Sequence, residues 1–298
     1  MYLLMSLNIT EYIENFAKKY PNFSHYFHFL YPMVSNIEIQ SYFKLREKLL
    51  SKFPNGMTIN MSKDFGIKDF NFDFHFNFNF FDDAILYNSL INHRVYEEDT
   101  TNFFINNLNE DSNFLDVGVN IGWYTMLAAS ISKKGKIIGI EANPTLITHI
   151  QENIKLNNFD NVTLYNNAAW DKDEILKLNF SEEVLANGSI IDKNFKNKVD
   201  VKGTPLDKLL KGFSFDLVKM DIEGSEAKAI KGFHETLEMQ KPMIVVEFNY
   251  GYDIPSLINA IPKFYKYYTL DSHGNLKSTT KDYLLTLKNT TINVLLKA

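Results

Sequence analysis

The chain has 298 residues, 45% of them hydrophobic, and carries a formal net charge of −5 at pH 7. This length allows one large α/β domain with an added subdomain, or two small domains, and the hydrophobic content excludes a chain that is disordered throughout. The acidic balance argues against nucleic acid as a partner, because nucleic-acid-binding proteins normally carry a basic face. The lack of cysteine excludes disulfides, thiolate metal sites and cysteine nucleophiles.

The chain shows no feature of a membrane protein or a secreted protein. No run approaches about 18 uninterrupted apolar residues, so we expect neither a membrane span nor a membrane partner. The first seven residues, Met1-Tyr-Leu-Leu-Met-Ser-Leu7, have no basic region and no small-residue cleavage site, which is not typical of a secretory signal. Together with the lack of cysteine, this favours a cytoplasmic location.

Two zones precede the main domain. Residues 1–56 show apolar residues at helical spacing and end at the turn signal Pro54-Asn-Gly56, which predicts a helical accessory or lid region. In the second zone, 57–112, aromatic and polar residues alternate strictly from Asp69 to Phe80. This predicts a strand or a hairpin with one aromatic face and with His75 pointing outward. The alternation leaves open whether the aromatic face packs on the core, lines a sugar-stacking surface or forms the seam of a homodimer.

A helical pattern from Tyr96 to Leu108 leads into the third zone, 113–298, where apolar strands alternate with helices. Repeated strand–helix units with continuous apolar strands predict a mostly parallel sheet covered by helices on both faces. The predicted fold class is therefore α/β, with a doubly wound, Rossmann-like sheet. Ser225–Met239 is predicted as one helix. The last strands, 264–270 and 292–296, are predicted to form an antiparallel edge hairpin.

In such a sheet, ligands bind at the carboxyl ends of the strands, near the switch point. The first strand of the third zone carries Asp116 and is followed by Gly118, Asn120 and Gly122. A dinucleotide fingerprint needs glycines at three positions counted from Gly118, and two of these hold Asn120 and Trp123. A pyrophosphate is therefore poorly accommodated, and the spacing favours a smaller ligand beside the start of a helix.

The next two strand ends add partners for a nucleoside. Glu141 follows the second strand, where a carboxylate can accept hydrogen bonds from both ribose hydroxyls. Asn167 and Ala168 follow the third strand and are candidates to meet the edge and the face of an adenine. These positions predict a nucleoside-binding site.

The fourth strand ends in the acidic turn 219–226, and the fifth brings Glu247 to the same edge of the sheet. Three carboxylates and a lysine around one turn are too polar for packing alone, and we interpret Asp221 at the strand tip as functional. Glu226 is either functional or the favourable acid of a first helical turn, with Lys219 as its ion-pair partner. Asp221 and Glu247 could hold Mg²⁺, but we expect the site to work without a metal.

Together these segments resemble the FkbM family of S-adenosylmethionine-dependent methyltransferases, over roughly residues 95–250. The matching elements, in chain order, are Asp116-Val-Gly-Val-Asn-Ile-Gly122, Glu141-Ala-Asn-Pro144, Thr204-Pro-Leu-Asp207, Val218-Lys-Met-Asp-Ile-Glu-Gly-Ser-Glu226, Lys231-Gly232 and Val245-Val-Glu247. Two departures, Val119 for the usual alanine and Ala142 for the usual proline, remove no polar ligand.

The resemblance implies a class I methyltransferase fold with S-adenosyl-L-methionine as the cofactor. It further implies that the glycine turn shapes the methionine and ribose end of the site, that Glu141 holds the ribose and that Asp221 lies beside the sulfonium. Our candidates for cofactor binding are therefore Asp116, Gly118, Asn120, Gly122, Glu141, Asn167, Ala168 and Asp221.

Methyl transfer is an in-line displacement, so the main task of the protein is to align the reacting atoms. A carboxylate near the cleft can also take a proton from the acceptor. The candidate bases are Asp221 and Glu223, with Glu247 and His234 behind them.

The expected acceptor is a hydroxyl of a sugar, a glycan or a secondary metabolite. The alternative is N-methylation of amide or amine side chains of a peptide, for which the N-terminal helical zone could supply a groove. Missing glycines disfavour a nicotinamide-dependent oxidoreductase, and the intact site disfavours a binding protein that has lost its activity. Acceptor specificity is expected in the N-terminal helices, the aromatic strand and the insert at 181–198.

Overall fold

The structure of the protein is a computed structural model, which describes residues 36–93, 95–180, 188–190, 197–288 and 290–298. The helical pattern predicted within residues 1–35 and most of the insert at 181–198 lie outside the described residues. The division into zones at residues 56 and 112 stays a prediction.

The described residues form eleven helices and thirteen strands. The helices are α1 (Asn36–Lys52), α2 (Met61–Phe65), α3 (Phe81–His93), α4 (Glu98–Asn107), α5 (Trp123–Ile131), α6 (Pro144–Leu156), α7 (Leu206–Leu209), α8 (Glu226–Lys231), α9 (His234–Gln240), α10 (Ile254–Ala260) and α11 (Lys281–Thr286). The strands are β1 (Met57–Asn60), β2 (Asp73–Phe76), β3 (Phe114–Val117), β4 (Ile137–Glu141), β5 (Val162–Asn166), β6 (Ala168–Ala169), β7 (Glu174–Phe180), β8 (Asn197–Thr204), β9 (Leu217–Met220), β10 (Met243–Asn249), β11 (Lys266–Leu270), β12 (Leu276–Thr279) and β13 (Thr291–Lys297). None of these helices combines the length and the apolar character needed to cross a bilayer.

An eight-stranded sheet lies at the centre, in the order β12-β11-β13-β10-β9-β3-β4-β5. Strands β5, β4, β3, β9 and β10 pair in parallel, and β13, β11 and β12 continue the sheet with antiparallel pairing. From β3 the chain extends the sheet first to one side, through β4 and β5, and later to the other side, through β9 and β10. The carboxyl ends of β3 and β9 therefore lie side by side at the switch point. The predicted α/β fold class with a mostly parallel sheet is confirmed.

Alternate residues of the central strands contribute to two different apolar layers. In β3, Phe114 belongs to the layer that contains α5 and α6, whereas Leu115 and Val117 belong to the layer that contains α8 and α10. Asp116 and Lys219 are register partners on neighbouring strands. Because side chains alternate along a strand, both lie on the same face as Phe114. Two polar residues are thus placed within an otherwise apolar face, directly below the switch point.

The alternating aromatic segment is buried inside this first layer. Its strand is shorter than the predicted 69–80, since β2 spans four residues and pairs antiparallel with β1. The aromatic side chains at every second position are at most 4% exposed; they are Phe70, Phe72, Phe74, Phe76 and Phe78. His75 faces the other way, as predicted, with its Nδ1 3.0 Å from Oγ1 of Thr58. Because the stripe is covered within the chain, its interpretation as a sugar-stacking surface or a dimer seam is wrong.

Two asparagine side chains, Asn153 in α6 and Asn157 directly after it, hold the outer edge of β2. The amide of Asn157 accepts from the backbone N–H of Asp73 and donates to its carbonyl, both at 2.7 Å. Asn153 does the same for His75, at 2.6 and 3.2 Å. Each side-chain amide supplies the donor and the acceptor that a neighbouring strand would otherwise supply. The edge of β2 that faces away from β1 is therefore attached to the C-terminal end of α6.

Two predictions about the C-terminal half need correction. The helix predicted over Ser225–Met239 is two helices, α8 and α9, because the chain turns at Gly232, where a Cβ would lie 2.0 Å from the carbonyl oxygen of Trp170. Strands β11 and β13 do pair antiparallel, as predicted. They are not the edge of the sheet, however, since β12 pairs with the free side of β11 and α11 separates β12 from β13.

A buried ion pair joins α3 to α6. Nε2 of His149 lies 3.2 Å from Oδ1 of Asp83, and the two side chains are 2% and 0% exposed. Burial disfavours the charged imidazolium, but the negative charge of Asp83 outweighs this, so that the pKa of His149 is raised above its ordinary value. The carboxylates of Glu152 and Asp82 act in the same direction.

We expect this pair to make the stability of the protein depend on pH. A histidine whose pKa is higher in the folded state stabilises the fold fully below its unfolded pKa of about 6.5, and the stabilisation is lost as pH rises through the folded pKa. At pH 6, Asp83→Asn should lower the free energy of unfolding by about 3 kcal/mol, because it leaves a buried histidine without its counter-charge. Urea unfolding curves of both proteins at pH 6 and pH 9 measure this.

The matched control is Glu110→Gln, which removes an exposed ion pair with Lys134 and should leave the free energy of unfolding nearly unchanged at both pH values, because ion pairs in water contribute little. The expectation is contradicted if the difference in stability between the wild type and Asp83→Asn is the same at both pH values.

Candidate active site

The glycine turn after β3 and the acidic turn after β9 touch at the switch point. Gly118 has a φ of 87°, and a Cβ at this position would lie 1.8 Å from the backbone oxygen of Asp221. Glycine is the residue that tolerates both the positive φ and the close approach. The backbone N–H of Asp221 in turn donates to the carbonyl of Val117 at 2.9 Å. The distance between the two turns is therefore fixed by backbone contact.

A cleft opens at this contact, with about 340 Å³ of space that is open to solvent. Its lining comes from the segment before α4, the glycine turn, the start of α5 and the end of β9. The lining residues are Tyr96, Glu97, Gly118, Val119, Asn120, Ile121, Trp123, Tyr124, Lys219 and Asp221. The cleft thus brings together the predicted residues Gly118, Asn120 and Asp221. It also includes Tyr96 and Glu97, which were not predicted as site residues.

Lys219 supplies the positive charge of the cleft. It is 1% exposed, and its Nζ donates to Oδ2 of Asp221 at 3.0 Å and to Oδ1 of Asn293 at 3.4 Å. Burial by itself lowers the pKa of a lysine. Here the charges of Asp221, Glu97 and Glu247 outweigh burial and raise the pKa of Lys219 above its ordinary value. Lys219 therefore remains charged at neutral pH.

Glu226 holds the acidic turn from the first turn of α8. Its Oε1 accepts from the backbone N–H of Ile222 at 2.9 Å and of Gly224 at 3.3 Å, and burial raises the pKa of Glu226 to about 7. Between these two residues, Glu223 has a φ of 52°, an uncommon conformation for a residue with a side chain. Lys219 binds Asp221 instead of Glu226, so the ion pair considered from the sequence is wrong.

Glu97 is the acid of the cleft that sequence reasoning missed. Its Oε2 accepts from the hydroxyl of Tyr124 at 2.7 Å and from Nδ2 of Asn293 at 3.3 Å. Burial raises the pKa of Glu97, while Lys219 acts in the opposite direction. In the sequence, Glu97 precedes Glu98 and an aspartate at the start of a helix, which is typical of solvated acids in a first helical turn.

Glu247, on β10, adds a third carboxylate near Lys219. Its Oε2 is buried and has no hydrogen-bond partner among the described residues. Burial raises the pKa of Glu247 well above its ordinary value; Asp221 and Glu223 add to the rise, and Lys219 opposes it. Three carboxylates, those of Glu97, Asp221 and Glu247, thus interact with one lysine. Such an excess of negative charge favours a cationic ligand.

Glu141 and Asp116 lie beside and below the glycine turn. Both carboxylate oxygens of Glu141 accept backbone N–H groups, Oε2 from Asn120 at 2.9 Å and Oε1 from Asn143 at 2.7 Å. Burial raises the pKa of Glu141 to about 7, against these hydrogen bonds. Asp116 accepts from Oγ1 of Thr125 at 2.7 Å, and burial raises its pKa to about 7 as well. Oδ1 of Asp116 is buried without a partner in the described part of the chain.

The remaining candidates for cofactor binding do not line the cleft. Gly122 begins α5 with a φ of 99°. Asn167 and Ala168 are buried, and the Asn167 side chain donates to the carbonyl of Ala168 at 2.9 Å and accepts from Oγ1 of Thr204 at 3.4 Å. The backbone N–H of Asn167 donates to the carbonyl of Glu141 at 3.0 Å, so this segment adjoins the predicted ribose partner.

Apart from Asp221, the candidate bases Glu223, Glu247 and His234 also lie outside the lining. The backbone carbonyl of Glu223 accepts a hydrogen bond from Oγ of Ser189 at 2.9 Å, which ties the acidic turn to the segment after β7. His234 begins α9, and its side chain is 56% exposed. Among the described residues, no group of three or more histidine, aspartate or glutamate side chains is arranged to hold a metal ion.

A doubly wound sheet with a glycine turn and an acidic turn at its switch point is the architecture of an α/β protein that binds a nucleoside-type ligand. Residues 116–271 match the model of the methyltransferase FkbM domain, which is 156 of the 298 residues. The chain belongs to this family, and the resemblance noted in the sequence is confirmed.

Three solved structures are similar to the chain at low sequence identity. Methyltransferase FkbM from Methylobacillus flagellatus KT shares 14% identity at a TM-score of 0.47, and the match covers 88% of this chain and 59% of that protein. Precorrin-6y C5,15-methyltransferase from Geobacter metallireducens GS-15 shares 15% at 0.39, covering 67% and 87%. An rRNA methylase from Streptococcus thermophilus shares 10% at 0.41, covering 66% and 93%. The chain therefore spans less than two thirds of the Methylobacillus protein.

We expect Gly118→Ala to lower the free energy of unfolding by about 3 kcal/mol or more, because it combines a strained backbone conformation with displacement of the Asp221 carbonyl. Gly212→Ala is the matched control: Gly212 has a similar φ of 90°, but nothing lies within 4 Å of its Cβ position. This control should cost only about 1–2 kcal/mol, from the backbone alone. Urea unfolding of both variants measures the difference, and equal losses would contradict the expectation.

Proposed function

We propose that the protein is an S-adenosyl-L-methionine-dependent methyltransferase that methylates a hydroxyl of a sugar, a glycan or a secondary metabolite. Membership of the FkbM family supports methyl transfer. The observation that carries the proposal is the cleft at the ends of β3 and β9, where Glu97, Asp221 and Glu247 interact with one lysine, Lys219. A cleft with excess negative charge suits a cofactor whose reactive sulfur is a cation.

The residues around the cleft fit this cofactor. Oδ1 of Asn120 is buried and has no donor among the described residues, so it is available to a ligand hydroxyl or ammonium. When bound, S-adenosylmethionine supplies a methyl carbon activated by the sulfonium. In the proposal Glu141 holds the ribose, and Asn167-Ala168 meets the adenine.

Asp221 is the residue that we assign to the proton of the acceptor hydroxyl. As the hydroxyl oxygen bonds to the methyl carbon, the methyl–sulfur bond breaks with its electrons on sulfur, and the hydroxyl proton passes to a carboxylate. Asp221 lines the cleft, and Lys219 holds its Oδ2 at 3.0 Å, which fixes the orientation of the carboxylate. Glu223 and Glu247 are the further candidates, and the raised pKa of Glu247 suits a group that receives a proton.

The charge of the cleft favours a hydroxyl over an amine as the acceptor. Nearby carboxylates raise the pKa of a bound amine and keep it protonated, and a protonated amine has no lone pair with which to attack a methyl group. A hydroxyl keeps its lone pairs and gains a nearby base. The carboxylates around the cleft therefore favour a hydroxyl over an amine, and N-methylation of amide or amine side chains of a peptide is an outcome that the experiment below distinguishes.

We expect S-adenosylhomocysteine to bind the full chain, and Glu141→Ala to weaken its binding at least about tenfold, since the variant removes the acceptor for two ribose hydroxyls. Isothermal titration calorimetry measures both affinities. The matched control, Glu235→Ala, removes an exposed glutamate of α9 and should bind as the wild type does. Absence of binding to the wild type would contradict the cofactor assignment.

We expect methyl label from S-adenosylmethionine to appear in a hydroxyl-bearing glycan or metabolite fraction, and Asp221→Asn to reduce this transfer at least about a hundredfold. The assay offers the chain labelled cofactor with glycan, metabolite and peptide fractions, followed by mass spectrometry. Transfer should continue in EDTA, because Nζ of Lys219 already occupies the flank of Asp221 where a cation would bind. Label found only on peptide nitrogen would contradict oxygen methylation and support peptide N-methylation instead.

A further inference from the structure

The segment before α4 contributes a charged side chain to the cleft, Glu97, which has no part in the proton transfer assigned to Asp221. We propose that the carboxylate of Glu97 is the anchor for the α-ammonium group of the methionine part of the cofactor. The inference rests on the proposed function and deepens it. It assigns the charged amino-acid end of the ligand to a residue outside both the glycine turn and the acidic turn.

The backbone at Glu97 is held in an unfavourable conformation. Its φ is 43° and its ψ is 70°, in the left-handed region that residues with side chains rarely adopt. The backbone carbonyl of Glu97 accepts from the N–H of Thr101 at 2.8 Å, in the first turn of α4. Strained residues of this kind persist where the surrounding structure fixes them, and they concentrate at ligand sites. The start of α4 thus fixes Glu97 at the wall of the cleft.

The Glu97 side chain is fixed through one oxygen and free at the other. Oε2 accepts from the hydroxyl of Tyr124 and from Nδ2 of Asn293, at 2.7 and 3.3 Å. Oε1 receives no hydrogen bond from any residue that the structure describes. Asn293 also accepts from Nζ of Lys219 at 3.4 Å, so Glu97 is linked to the Lys219–Asp221 pair. A carboxylate held in this way keeps one oxygen for a ligand.

The polar side chains of the cleft offer mostly acceptors. Lys219 directs two of its three donors to Asp221 and Asn293, and Oδ1 of Asn120 is buried without a donor among the described residues. An ammonium group has three donors and no acceptor. It therefore matches a wall that presents Glu97, Asn120 and Asp221. The neighbouring N-terminus of α5 has the positive end of a helix dipole, which suits the α-carboxylate of the same ligand.

The test compares two ligands that differ in the amino-acid part. S-adenosylhomocysteine carries the α-ammonium group, whereas 5′-methylthioadenosine has the same nucleoside and a thioether sulfur but no amino acid. Each is titrated calorimetrically into the wild type, Glu97→Gln and Glu98→Gln, all as full chains. Glu97→Gln keeps the shape of the side chain and an oxygen for Tyr124, and removes the charge. Glu98 is the exposed neighbour of Glu97 and serves as the matched control.

We expect Glu97→Gln to lower the affinity for S-adenosylhomocysteine about ten- to a hundredfold, because it removes a charge-assisted hydrogen bond. The affinity for 5′-methylthioadenosine should stay within twofold of the wild-type value. Unchanged binding of 5′-methylthioadenosine also shows that the variant is folded. Glu98→Gln should bind both ligands as the wild type does.

The other outcomes separate the two proposals. If Glu97→Gln lowers the affinity for both ligands equally, or for neither, the assignment of Glu97 as the ammonium anchor is overturned while the cofactor assignment stands. If the wild type binds neither ligand, the cofactor assignment fails and the anchor fails with it.

Discussion

The carbonyl oxygen of Asp221 occupies the space that a side chain at residue 118 would need, and the geometry of the site depends on this contact. The two turns belong to different strand–helix units, separated by about a hundred residues of chain. Val117 and Met220 are register partners at the ends of β3 and β9, so the pairing of the sheet decides how the turns meet. A shift in register by one residue would reverse the faces of the strand and separate the turns. The pairing of the central sheet therefore fixes the geometry of the cleft.

The buried charges of the cleft lower the stability of the folded protein unless they are compensated. Lys219 is buried with its charge, and removing such a group from water costs several kcal/mol unless hydrogen bonds and counter-charges compensate for it. Asp221 and Asn293 provide these contacts, and Nζ lies 5.6 Å from the ring centroid of Tyr124, within the range of a cation–π interaction. Burial is the main cause of the raised pKa of Glu247, and the charges of Asp221 and Glu223 raise it further. A cationic ligand would relieve this repulsion, so binding and stability should be coupled.

Much of the fold could be predicted because its signals are local. The parallel strands are continuous apolar runs, and Asn143 caps α6 by accepting from the N–H of Thr145 at 3.0 Å, as the Asn-Pro pair indicates. Strand β12 could not be predicted, because its side chains are largely exposed and lack an apolar pattern. The break at Gly232 had a signal in the glycine itself, but the Trp170 carbonyl, which leaves no room for a side chain there, is a tertiary contact.

The candidate site was predictable where it follows the strands and not where it depends on packing. Gly118, Asn120 and Asp221 stand at strand ends, and the topology alone brings them together. Glu97 reaches the cleft from a helix start, and Asn293 from an antiparallel strand near the C-terminus. Asn293 did carry a signal, since it is a polar residue between Ile292 and Val294 in an apolar strand. The position of Asn293 in the sequence does not predict that its side chain contacts Glu97.

The asparagines at the end of α6 also have a consequence for self-association. A two-stranded ribbon ordinarily leaves two rows of unpaired backbone groups, and each row can template the addition of a strand from another molecule. Asn153 and Asn157 occupy one of these rows, at His75 and Asp73. The phenylalanines of β2 have a high β-propensity, which favours strand addition at an open edge. Its free edge is thereby closed to amyloid-like growth by two side chains rather than by another strand.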